Sequence, residues 1–174
     1  MAFWPFRKSS ESEPVLAVYA AIVTQSRQPR FYAEWGVPDT VTGRFDMLSL
    51  HLALLLRRLR DETAARGFSQ ALLDLFLADM DRSLRDLGIG DLSIPKRIKK
   101  MNGLFFGLLT RLDAALASGE AAALEDVLIR NIYGGAACPG AGLLAAYVAA
   151  ETARLAGQSA EAIMAGRIEM GEAA

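Results

Sequence analysis

Residues 45–59, FDMLSLHLALLLRRL, constrain the fold more than any other stretch. Phe45, Leu48, Leu52, Leu55, Leu56 and Leu59 recur at helical spacing, while Leu50 and Leu54 face elsewhere. The first turns of this helix are therefore apolar nearly all round. A helix of that kind sits at the centre of a fold or against a partner. The spacing predicts a helix from about Thr42 to Arg66, ended by Gly67.

Its surroundings read as helix too, and alternating β patterns are missing. A first helix is predicted from Pro14 to Arg27, with Val15, Val18, Tyr19, Ile22 and Val23 on one stripe. Pro29 breaks that pattern, and Phe31 to Trp35 form a short helical turn ending at Gly36. Val37 to Thr40 is a connector, because a residue before proline avoids the helical region. Ser69 is expected to cap a helix to about Leu87, and Ser93 one that holds Pro95 in its first turn and ends at Gly119. Helices follow over 121–133, 139–156 and, capped by Ser159, to about Met170. The expected fold is all-α, a single compact bundle of about six to eight helices. It occupies residues 14–174 behind a flexible tail, residues 1–13.

The chain has 174 residues, 52% of them hydrophobic, with a mean hydropathy of +0.22 and a net charge of −1. That length is enough for one sizeable core. The charge balance gives no whole-molecule footprint for DNA or RNA. One cysteine, Cys138, allows no intrachain disulfide and fits a reducing compartment. Residues 131–150 carry no charge and match a membrane span in length, but Ala and Gly dominate them. A small-residue helix packed in the core is the expectation instead. The N-terminus, MAFWPFRKSSESEP, has no apolar signal-peptide region. Its aromatics and Arg7-Lys8 read either as a tail or as a membrane-surface element.

Residues 19–60 hold more polar and aromatic side chains than a plain helical core needs. His51, the only histidine, lies at the flank of the Leu48/Leu52/Leu55 stripe and lacks the company a catalytic base or metal ligand requires. It reads as a structural or interface histidine. Arg44 and Asp46 flank Phe45 at a helix start; Asp46 suits the dipole there and Arg44 is expected to pair with a carboxylate such as Asp39. Phe31, Tyr32 and Trp35, beside Arg27 and Arg30, form a lid over the bundle, a binding surface, or both, since aromatics and arginine are enriched at hot spots. Lys96, Arg97, Lys99 and Lys100 place cations at the unfavourable end of a helix. They are offset by Asp86 and Asp91 or by an external anion. Cys138 reads as a small buried residue. No cofactor site and no metal cluster is visible.

With these residues in place, the chain resembles the ubiquinol–cytochrome c chaperone family. The matching pieces are Y19-A-A-I-V-x-Q-S-R-x-P-x-F-Y32, G36-V-P-D-T40, G43-R-F-D-M-L-x-L-H51, Arg57-Arg58-Leu59, G88-I-G-D-L-S-I-P-K-R-I-K-K-M101 and L128-I-R-N-I-Y133. They cover most of residues 15–155. The resemblance implies an all-α, non-enzymatic chaperone without cofactor. It would bind newly made cytochrome b and promote assembly of ubiquinol–cytochrome c reductase. The mitochondrial members also work with a partner protein and at the ribosome. This chain looks like the bacterial form, placed in the cytoplasm with peripheral contact at the inner membrane. On this reading Arg27, Phe31, Tyr32, Trp35, Arg44, Asp46 and His51 contact the client, and Lys96, Arg97, Lys99 and Lys100 contact an anionic surface. A helical carrier of quinone or lipid, with a pocket between helices, is the competing reading.

Overall fold

The structure, a computed structural model, describes residues 12–173. Among them are the α-helices α1 (Ser12–Ser26), α2 (Pro29–Ala33), α3 (Val41–Leu59), α4 (Arg66–Asp86), α5 (Ile94–Ser118), α6 (Ala121–Asn131), α7 (Gly140–Ala156) and α8 (Ala160–Met164), with a 3₁₀ turn over Thr63–Ala65. No strand occurs among the described residues. The expected tail lies outside the described residues as far as Glu11, and Ser12 and Glu13 already belong to α1.

The apolar helix is central. Every residue of α3 from Ser49 to Leu55 is buried, and α1, α4, α5 and α7 all pack against it. Thr40 caps it, its hydroxyl accepting from the Gly43 amide at 3.1 Å. Its far end is held by charge. Arg57 and Arg60 donate to Asp113 of α5 at 2.9 and 2.7 Å, and Arg58 donates to the carbonyls of Leu155 and Gln158 at the end of α7. A cation on the last carbonyls of a helix opposes the negative end of its dipole.

Several predicted boundaries and caps differ. α3 ends at Leu59 rather than 66, and α4 starts at Arg66, so Gly67 lies in a first turn instead of ending a helix and Ser69 lies inside α4 instead of capping it. Ser93 precedes α5 as expected but makes no side-chain cap. The final helix stops at Met164, and the chain beyond it runs back over the bundle as a strap. Residues 131–150 divide into the end of α6, a turn and the start of α7. No helix among the described residues is long and apolar enough to cross a membrane.

Candidate functional site

The polar and aromatic residues of the 19–60 block go to three different places. The first is the interior. Phe31, Trp35 and His51 are buried, so they form no surface. Pro29 starts α2, whose single turn drives Phe31 into the core against Trp35, His51 and Tyr147, with ring centroids 5.3, 5.6 and 5.1 Å away. His51 Nδ1 lies 2.7 Å from the Met47 carbonyl, which can only accept, so that nitrogen carries the proton. Nε2 then accepts from the Tyr147 hydroxyl at 2.8 Å, and the same hydroxyl accepts from Gln25 Nε2 at 2.7 Å. Burial pushes the imidazole down to about 4, so it is neutral, and both nitrogens are occupied. These residues are corrected from a client-facing surface to an internal support.

That support extends to the strap. Gln25 also donates to the Gly171 carbonyl. Gln28 bridges Gln25 and the Ala173 amide, and Arg30 donates to the Ala173 carbonyl at 2.7 Å. Gln158 pairs both ways with the backbone of Glu169, and Glu151 accepts from the Gly171 amide at 2.9 Å. Glu151 is buried, and that burial raises its carboxyl above the usual range. Tyr147 and Glu151, one turn apart on α7, were not singled out in the sequence. Their only signal was a tyrosine and an acid on an otherwise small-residue helix.

The second place is a surface groove, and here Arg27, Tyr32 and Arg44 come together. Arg27 and Arg44 line two adjoining clefts of about 300 and 460 Å³. One cleft runs over Pro29, Tyr32 and Asp39. The other has an apolar floor of Phe45, Leu48, Met80, Leu84 and Met101, with Val41 and Leu87 as walls. Those two walls remain 54% and 53% exposed, so the groove is open to water along its length. Arg44 pairs with Asp39 at 2.7 Å across two exposed side chains. The Tyr32 hydroxyl donates to the Ser26 carbonyl at 2.7 Å, and burial pushes it up to about 12. Asp79 on the groove wall accepts from Tyr19 at 3.0 Å, fixing α4 to α1. The arrangement is apolar below and charged at the rim.

Asp46 goes to the third place. Helical geometry turns it away from Arg44, and it lines a separate cleft of about 210 Å³ with Ser49, Leu104, Leu108 and Arg130. It therefore does not belong to the groove. No ion pair reaches it among the described residues, and burial pushes its carboxyl up to about 7. A raised carboxyl favours the native state at low pH and loses that contribution as pH rises through 7. Asp46→Asn is accordingly expected to stabilise the fold by roughly 1 to 2 kcal/mol near pH 8, measured by urea denaturation, and to change nothing near pH 4. Lys96, Arg97, Lys99 and Lys100 are all exposed on α5, whose next residue, Met101, reaches the groove. Cys138, half-buried, donates to the Trp35 carbonyl at 3.6 Å.

A family model described as ubiquinol–cytochrome C chaperone matches residues 33–170. The chain belongs to the ubiquinol–cytochrome c chaperone family. Its fold is similar to the crystal structure of the Cbp3 homolog from Brucella abortus, with a TM-score of 0.87 and 44% identity over 96% of this chain and 94% of that one. No curated protein matches the chain. Membership in the chaperone family points to a protein partner in respiratory-complex assembly. The matched residues include Arg44 at the rim and Met101 on the floor of the groove and exclude α1.

Proposed function

We propose that this member of the family binds newly made cytochrome b and promotes assembly of ubiquinol–cytochrome c reductase without catalysing a reaction, and that the Arg27–Tyr32–Arg44 groove is its client surface. The observation that carries this reading is the groove's composition. Its apolar floor lies between α1, α3, α4 and α5, its walls are half exposed, and two arginines stand at its rim. An unassembled membrane segment aggregates unless its apolar area is covered, at about 25 cal/mol per Å². A charged rim sets register and on-rate while keeping affinity moderate, as release requires. A carrier would bury most of its ligand. A ligand between Val41 and Leu87 would instead stay half in water, which favours a partner's surface over a small molecule.

Photo-crosslinking from position 44 in cells tests the reading. Cytochrome b is the expected product. Arg27→Glu with Arg44→Glu should lower binding measured with a crosslinker at position 87 by roughly tenfold, because a reversed rim repels what it steered. The Arg44–Asp39 pair is solvent-exposed and contributes little to stability, so the fold should persist. Crosslinks confined to unrelated soluble proteins would sink the proposal.

A further inference from the structure

We propose that the α4–α5 turn and the first turns of α5 form a foot that docks on an anionic lipid surface, with Leu92 inserted and Lys96, Arg97, Lys99 and Lys100 against the headgroup phosphates. Leu92 is 99% exposed, the most exposed large apolar side chain among the described residues. The turn that presents it is tied at both ends. Arg85 bridges Asp81 and Asp91, the Ser93 amide donates to the Gly90 carbonyl at 2.8 Å, and Ile94 is 1% exposed. Leu92 is thus displayed by an ordered turn between two anchored neighbours.

The cations complete the surface. At 3.6 residues per turn, the four fall within an arc of about 160° on the side of α5 opposite Ile94 and Ile98. No ion pair engages any of them among the described residues. Asp91, one of the two acids expected to offset them, is spent on Arg85, and Asp86 does not reach them. A chain with a net charge of −1 therefore carries a local block of four positive charges next to a projecting leucine. A field that uneven orients the molecule toward an anionic plane. Nucleic acid fits less well, because single strands are gripped by aromatic stacking and residues 88–104 contain no aromatic side chain.

The consequence for function rests on the client reading. Leu84 and Leu87 enter the turn, Met101 follows the cations, and all three line the groove. A chain standing on this foot would hold the groove at the membrane surface, where an apolar client segment emerges.

Co-sedimentation of the full chain with vesicles tests the foot. Binding is expected to vesicles containing phosphatidylglycerol and not to phosphatidylcholine alone, and to fall as salt rises. Lys99→Glu with Lys100→Glu should weaken it roughly tenfold or more. Leu92→Ser, which changes no charge, should weaken it several-fold, while the thermal midpoint of both variants stays at the wild-type value. The Arg27→Glu/Arg44→Glu variant should bind vesicles less weakened than the Lys99/Lys100 variant, so failure of the foot and failure of the client groove give different patterns. Absence of vesicle binding, or binding that both foot variants retain, overturns the proposal. Binding to ribosomal RNA that Lys99→Glu/Lys100→Glu abolishes and Leu92→Ser leaves intact, without vesicle binding, overturns it in favour of nucleic acid.

Discussion

Gly140→Ala is expected to cost about 4 kcal/mol and to leave most of the protein insoluble. A Cβ at position 140 would lie 1.9 Å from the Trp35 carbonyl oxygen and 2.5 Å from its carbon. The obstacle is backbone, which cannot swing aside as a side-chain end would. That carbonyl also accepts from the Tyr133 hydroxyl at 2.9 Å and from Cys138 Sγ. Moving α7 away would thus strand buried polar groups, at about 1 to 3 kcal/mol, on top of overpacking at about 1 to 3 kcal/mol. A domain holds only about 5 to 15 kcal/mol in total. Gly43→Ala should behave alike, since its Cβ would lie 1.9 Å from the Pro38 carbonyl oxygen. Gly142→Ala is the control. Only the end of Glu125 comes within 4 Å, at 3.9 Å, and helix propensity should stabilise that variant by up to about 1 kcal/mol. Urea midpoints for the three variants decide the matter. A Gly140→Ala midpoint close to wild type would show that α7 shifts freely over Trp35.

Both glycines illustrate what the sequence withholds. The long helices were legible because their apolar positions repeat at helical spacing, and the all-round apolarity of α3 announced its central place. The break after Leu59 was not. Nothing in RRLRDETAAR, ahead of Gly67, stops a helix locally; there Asp113 holds Arg57 and Arg60, and the end of α7 holds Arg58. The end of α8 is hidden for a similar reason. Ile163, Met164, Ile168 and Met170 imitate a helical stripe, but Gln158, Glu151 and Gln25 claim the backbone of residues 169–171. Of the seven proposed client residues, Arg27, Tyr32 and Arg44 share a groove. Residue type alone could not separate them from Phe31, Trp35 and His51, because aromatic and polar side chains serve a hot spot and a buried network equally well. Tyr147, which decides the matter for His51, lies 96 residues downstream.

The largest loss from a single side chain on α3 should follow removal of His51. His51→Ala deletes the acceptor of the Tyr147 hydroxyl and leaves a cavity beside Phe31, and both effects destabilise. Together they should cost about 4 kcal/mol in urea denaturation near pH 7.5. His51→Leu combined with Tyr147→Phe should recover about half of that, because replacing both partners leaves fewer orphaned groups than removing one. The pH dependence separates this role from packing alone. The native imidazole is held at about 4, against about 6.5 in the unfolded chain. The native state therefore binds fewer protons between those values, and stability falls by about 3 kcal/mol as pH drops from about 6.5 to about 4. Asp46 works in the opposite sense, favouring the native state at low pH and fading as pH rises through 7. The wild-type curve consequently shows the two effects partly cancelled, and the difference between wild type and His51→Leu is the quantity to measure. It should be largest near pH 7.5 and shrink by about 3 kcal/mol toward pH 4, whatever the absolute stabilities. A pH-independent difference would mean that His51 takes up its proton in the native state as readily as in the unfolded chain, and the chain of bonds from Met47 through Tyr147 to Gln25 and the strap would then have to be abandoned.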